Sequence, residues 1–320
     1  MSIKHLLTMK GPLFYSKILL FGEYGIIKDS RGLSIPYNFY KGALKKGDEL
    51  SENAEKSNQS LKKFSHYLQQ LQEDRTDLVS FDIDKLNADI ADGMYFDSSI
   101  PQGYGVGSSG ALVAAIYDQY ALDKITVLEN LTREKLLALK NIFSQMEAFF
   151  HGTSSGLDPL NSYLSLPILI NSKDNIEPTG IPSQQTEGKG AVFLIDSETV
   201  GETAPMVTMF MENLKNEGFR NMMKSEFNQY TNACIDSFLS GNFKKLFSNT
   251  KQLSKLVFNH FKPMIPEKFH QVWQKGIETN DYYLKLCGSG GGGYMLGFAP
   301  DFEKAQKALK DYKLEVVYRI

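Results

Sequence analysis

Only two cysteines, Cys234 and Cys287, occur in 320 residues. That is too few for a disulfide framework or a thiolate metal centre, and it suits a reducing compartment. Long apolar runs are missing as well. Behind an N-terminus carrying Lys4, His5 and Lys10, the apolar stretch Ile18 to Phe21 is far too short for a secretory or membrane segment, so a cytoplasmic, unexported chain is expected. Nor is there an excess of charge of one sign. The 35 Lys and Arg against 37 Asp and Glu give a formal net charge of −2, which argues against nucleic acid or an anionic membrane as partner and leaves a small molecule as the default. No internal repeat is visible.

What is present is the composition of a folded protein. At 42% hydrophobic and 22% charged residues the chain can bury sizeable cores, and its length predicts two domains sharing a cleft. The segment 171–190, "NSKDNIEPTGIPSQQTEGKG", holds two prolines and three glycines with few apolar residues and reads as a connector or exposed loop. Before it, "YSKILLFGEYGII" reads as a buried strand and turn, and Leu61, Phe64, Leu68 and Leu71 fall on one helical face. After it come a strand, "GAVFLIDS", a mostly helical region from about 206 to 261, and a closing helix and strand, "DFEKAQKALKDY" and "KLEVVYRI". Strands and helices mixed in this way define an α+β or α/β class.

The densest signal is "PQGYGVGSSGALVAA", with four glycines and two serines between Pro101 and Gly110. Gly105, Gly107 and Gly110 satisfy G-x-G-x-x-G, but so do Gly288, Gly290 and Gly293, so the pattern alone discriminates little. The strings that would make it a protein kinase (H-R-D, D-F-G) or a Walker loop (G-K-S/T) do not occur, and the dinucleotide-binding version has a poor acidic match. The physical content remains. Glycines admit a phosphate close to backbone N–H groups, and a helix starting at about Ser108 points unpaired N–H groups and its positive dipole end at the same place. Ser108 and Ser109 supply hydroxyls for a phosphate or a cation; the bland alternative is a serine N-cap after a glycine turn.

A second stretch, "QMEAFFHGTSSGLDPLNSY", follows a predicted helix from Thr132 to Phe150 whose apolar face is Leu136, Leu139, Phe143, Met146 and Phe150. Glu147 lies beside that face and needs either a lysine, solvent or a cation such as Mg²⁺. Asp158 before Pro159 reads as a helix N-cap with proline in the first helical position. Lys17, taken alone, reads as a surface charge on an edge strand.

Three stretches together carry a family resemblance. "KILLFGEYGII", "PQGYGVGSSGALVAA" and "KLCGSGGGGYMLGF" resemble, in order, the three motifs of the GHMP kinases, and "HGTSSGLD" looks like the H-G-x-P-S-G-x-D of the mevalonate kinases among them. The resemblance implies a two-domain α+β fold, with an N-terminal ribosomal-protein-S5-like domain over 1–180 and a C-terminal ferredoxin-like domain over 181–320, the active site between them. It implies ATP and Mg²⁺ as cofactors. By its motifs Gly103, Gly105, Val106, Gly107, Ser108, Ser109 and Gly110 wrap the ATP phosphates, Ser109 and Glu147 hold Mg²⁺, and Asp158 with Lys17 acts on the acceptor hydroxyl. Glu23, Tyr24, His151, Ser155, Thr203, Gly290 and Gly291 fall on the substrate side. The implied activity is ATP-dependent phosphorylation of a small-molecule alcohol, mevalonate first, with phosphomevalonate kinase, another GHMP kinase or a catalytically silent sensor as alternatives and a homodimer left open. Tyr24 stands where the pattern has histidine, Ser154 where it has proline and Gly110 where it has alanine, departures that bear on the acceptor.

Overall fold

A computed structural model describes residues 12–28, 30–126 and 131–320. In chain order its elements are β1 (Phe14–Phe21), β2 (Gly32–Lys46), α1 (Glu52–Asp74), α2 (Ile83–Ala91), β3 (Met94–Ser98), α3 (Ser108–Tyr120), α4 (Arg133–His151), α5 (Leu157–Leu164), β4 (Ile168–Ser172) and β5 (Asn175–Pro178). Then follow β6 (Ala191–Asp196), α6 (Thr203–Asn213), α7 (Glu217–Met222), α8 (Asn228–Leu239), α9 (Phe243–His260), α10 (His270–Thr279), β7 (Tyr283–Leu286), β8 (Tyr294–Ala299), α11 (Phe302–Ala308) and β9 (Leu314–Arg319). The mixture is the α+β class expected from the sequence.

The chain divides into two compact units that interleave along the sequence. The first contains the described residues up to Lys17, Pro36–Ile100 and Gly107–Ser165; the second contains Ile18–Ile35, Pro101–Val106 and Leu166–Ile320. Strands β1 and β2 therefore each change unit part-way along.

In the first unit the later half of β2 pairs antiparallel with β3, Gly42 opposite Ser98, and helices α1 to α5 supply the core. Leu61, Phe64, Leu68 and Leu71 recur at helical spacing on α1 and are buried, which is how an amphipathic helix is fixed to its neighbours. Ser51 caps it by accepting from the Ala54 N–H. Leu136, Leu139, Phe143 and Met146 do the same on α4, capped by Thr132. Phe64 meets Phe150 at 5.3 Å and Tyr117 meets Phe143 at 5.0 Å, joining α1 and α3 to α4.

The second unit is built on an antiparallel sheet of order β7-β8-β6-β9. Ala191 to Ile195 of β6 are all buried, so this strand has cover on both faces and reads as a continuous apolar run. On one face Phe193 packs against Phe302 of α11 at 5.5 Å.

Two expectations require correction. The segment 171–190 is not all connector: β4 and β5 form a hairpin in which Ile170 stands opposite Ile176. Ile176 is the one buried residue of β5, too little apolar signal to register in a polar stretch. Asp158, expected as an N-cap, is the second residue of α5, whose cap is Gly156 in the left-handed conformation (φ 71°) with no side-chain cap bond. A Cβ on Gly156 would lie 2.1 Å from the Lys140 carbonyl oxygen, so only glycine can make this turn against α4. Pro159, now third in the helix, still needs no intrahelical donor.

Candidate active site

In the first unit the site residues gather where α3, α4, α5 and the early part of β1 meet. Lys17 is buried in β1, and its Nζ lies 2.9 Å from Asp158 Oδ1 at the start of α5. The edge-strand surface reading of Lys17 is thus overturned: its side chain is 6% exposed, against 36% for its partner. Gly107 caps α3 in the left-handed conformation (φ 83°), replacing the serine cap allowed for Ser108. A Cβ there would stand 3.1 Å from Lys17 Cγ and 3.8 Å from Asp158 Oδ2, so the entrance to α3 lies directly over the ion pair. Gly110, one turn on, explains its own departure from alanine. Its added Cβ would fall 2.7 Å from the Asp158 carbonyl carbon and the Pro159 nitrogen, a backbone approach that α3 and α5 make only without a side chain.

Ser109 and Glu147 are also brought together. The Ser109 hydroxyl donates to Glu147 Oε1 at 2.8 Å, and His151 Nε2 lies 3.1 Å from the same hydroxyl. The second carboxylate oxygen, Oε2, accepts from Ser154 Oγ at 2.5 Å. Glu147 is 3% exposed. Burial, and next the negative charge of Asp158, push its carboxyl up to about 7, against the stabilising hydrogen bonds of Ser154 and Ser109 and the charge of Lys17. Ser155 faces outward and accepts from the Leu157 N–H at 3.4 Å, a local turn contact at the entrance to α5.

The second unit holds the remaining candidates. Glu23 is buried in an ion pair with the equally buried Lys285 of β7, whose Nζ also donates to the Leu286 carbonyl. Tyr24, at φ 60°, donates its hydroxyl to the Ser289 carbonyl at 2.5 Å and packs its ring on Phe210 at 4.7 Å. Burial, helped by Glu23, pushes the Tyr24 phenol well above its ordinary range. The space beside Glu23 and Tyr24 measures about 10 Å³, the room of one water. Thr203 opens α6 and accepts from the Ser289 hydroxyl at 3.4 Å.

The glycines of this unit serve chain packing. A Cβ on Gly105 would lie 2.4 Å from the Cys287 carbonyl oxygen, and one on Gly290 would lie 2.6 Å from that of Met264. Gly291 donates its N–H to Met264 at 2.7 Å, and Gly201 donates to the Gly103 carbonyl at 3.0 Å. Val106 is buried. Sequence reasoning passed over Lys285, whose signal was a single charge inside the apolar run "YYLKLCG", and noted Ser154 only as a departure.

Among the described residues no group of three or more His, Cys, Asp or Glu is gathered as a metal site. A carboxylate plus a serine hydroxyl is nevertheless a hard-oxygen donor set of the kind that suits Mg²⁺, which is commonly held by one or two carboxylates, substrate phosphates and water. The N-terminus of α3, with Gly107 to Gly110 in its first turn, suits phosphate in the same sense. No helix among the described residues is long and apolar enough to cross a membrane.

Within this fold, residues 65–165 match the family described as the GHMP kinases N terminal domain. Three solved structures are similar to this chain in fold. The L. major mevalonate kinase in complex with R-mevalonate is similar over 98% of this chain and 97% of its own, at 16% identity and a TM-score of 0.64. The Streptococcus pneumoniae phosphomevalonate kinase, in complex with phosphomevalonate and AMPPNP, covers 96% and 99% at 14% identity and 0.62. The Lactococcus lactis galactokinase with galactose covers 98% and 94% at 12% and 0.61. At these identities the likeness is one of fold. Among curated proteins none matches the sequence.

Proposed function

We propose that the chain is a mevalonate kinase, transferring the γ-phosphoryl group of ATP to the 5-hydroxyl of mevalonate. The observation that carries the reading is the ion pair of buried Lys17 with Asp158 beneath Gly107, together with the "HGTSSGLD" stretch that sets Asp158 eleven residues after Glu147. Phosphoryl transfer asks a protein mainly for positioning and for neutralisation of phosphate charge. Asp158 accepts a hydrogen bond, or the proton, from the attacking hydroxyl, while Lys17 holds the carboxylate in place. The loop from Gly103 to Gly110 binds the phosphates through backbone N–H groups, Ser108 adding its hydroxyl. Glu147 and Ser109 hold Mg²⁺, which when bound offsets charge on the phosphate oxygens. Glu23, Tyr24, His151, Ser155, Thr203, Gly290 and Gly291 are assigned to the acceptor side on the motif resemblance; of these Glu23 and Tyr24 act through their neighbours, since their polar atoms are already engaged.

ADP release should be measured with mevalonate, phosphomevalonate, galactose and homoserine in turn. Mevalonate is expected to give the highest kcat/KM. Turnover of phosphomevalonate or galactose in its place would move the chain to another branch of the superfamily, and ATP binding without turnover of any alcohol would make it a sensor.

A further inference from the structure

We propose that Ser154 is a positioning residue for Glu147, fixing the carboxylate that receives the divalent cation; the inference rests on the reading of Glu147 as a metal ligand. The residue occupies the place where the resembling motif carries proline, and a proline has no hydroxyl to offer. Here the hydroxyl is part of a directed chain. The Gly156 N–H donates to Ser154 Oγ at 3.0 Å, which uses the oxygen as acceptor and leaves its proton to be donated to Glu147 Oε2 at 2.5 Å. The Ser154 backbone is held in turn, because Ser144, three residues before Glu147 on α4, donates its hydroxyl to the Ser154 carbonyl at 2.6 Å. Gly156 is pressed so closely on α4 that a Cβ would reach within 2.7 Å of the Ser144 nitrogen. The donor is therefore anchored to the same helix as its acceptor.

Two consequences follow for the carboxylate. With Ser109 on Oε1 and Ser154 on Oε2, both oxygens are held and the carboxylate plane is set before a cation arrives. Each donated hydrogen bond also occupies one of the carboxylate's lone-pair directions, which narrows the directions left for a cation. Ser109 is shared with the cation in the proposed function, but Ser154 is not. Partners of this kind, which orient a ligand without touching the metal, typically change metal affinity or activity about 10–100-fold when removed.

The test is Mn²⁺ binding to the protein–ADP complex, titrated by electron paramagnetic resonance, in wild type, Ser154→Val, Ser154→Thr and Glu147→Gln. Valine and threonine share a shape and differ in the hydroxyl. The valine variant should bind Mn²⁺ about 10–100-fold more weakly, and the threonine variant should stay close to wild type. Turnover of the valine variant should recover at high Mg²⁺ with an unchanged KM for the alcohol, a split that general loosening of the fold would not produce. Wild-type Mn²⁺ affinity in a Ser154→Val protein with an unaltered melting curve would overturn the role of Ser154 and leave Glu147 untouched. Wild-type affinity in Glu147→Gln would overturn the metal reading and the inference with it.

Discussion

In the first unit two carboxylates, Glu147 and Asp158, are set around Lys17, whereas in the second Glu23 is paired with Lys285. Glu147, Lys17, Glu23 and Lys285 are buried and Asp158 is partly exposed, and the two arrangements differ in balance. A matched pair satisfies itself and asks for nothing from outside; an unmatched carboxylate in a dry site has its charged form penalised until a cation arrives. Glu147 shows that penalty as a carboxyl pushed up to about 7. The same residue types therefore stand in different balance in the two units, and the contrast can be put to experiment.

The largest effect is expected at Asp158. Asp158→Asn should reduce turnover by about 10²–10⁴, the usual worth of a positioned acid or base, while thermal unfolding changes little, because Gly156 and not Asp158 caps α5 and the amide oxygen still accepts from Lys17. Near-normal turnover in a folded Asn variant would remove Asp158 from the chemistry. Next in size is the matched pair. Lys285→Met leaves Glu23 buried without its lysine, which should cost about 3–5 kcal/mol of stability in denaturant melts, whereas Glu23→Leu with Lys285→Met should be close to neutral. If that double variant melts normally but loses kcat/KM, Glu23 acts at the acceptor side as proposed; an unchanged kcat/KM would confine the pair to packing.

The unmatched carboxylate makes a prediction about pH. Glu147 in the native state holds its proton more tightly than in the unfolded chain, with the folded value near 7 and the ordinary one at 4.5. The native protein thus binds the extra proton between those values, and stability is fully present below about 4.5 and is lost as pH rises through 7, by an amount on the order of 3 kcal/mol. Glu147→Gln should abolish this slope in metal-free melts while depressing Mg²⁺-dependent turnover. A slope that persists in the Gln variant would assign it elsewhere. The smallest effect is expected at Gly110→Ala, where a methyl group forced against the Asp158–Pro159 backbone should cost about 1–3 kcal/mol; an unchanged melting temperature would show that α3 and α5 can part at no cost.

How much of this was legible in the sequence varies with the range of the forces involved. Helices α1, α3 and α4 were visible because their apolar residues repeat at helical spacing, and β6 because its run is apolar throughout. The start of α5 was misplaced because Asp-Pro is a strong local signal, while the glycine that sets the helix start answers to α4, distant in sequence. Strand β5 was lost in a polar segment since one buried isoleucine is enough to pair it with β4. Lys17 could not be recognised as buried from its own strand, because its partner lies 141 residues further along the chain. Ser154 and Lys285 were missed on the same ground: each matters through one long-range or cross-turn contact that no periodicity encodes.

The interleaving of the two units has a consequence for biosynthesis. A ribosome emits residues 18–35 early, among them Phe21, whose ring finally stacks on Phe298 at 5.3 Å, and Leu33 of β2, paired with Leu169. Residues of the first unit are all outside once Ser165 has emerged, whereas these early apolar segments must wait for the C-terminal half, a delay on the order of tens of seconds at ~5–20 residues per second. During that interval the nascent chain exposes the apolar residues of β1 that follow Lys17. No single cleavage point separates the units either, and a gene cut near residue 165 would yield a first half with unpaired strand ends in place of a free-standing domain.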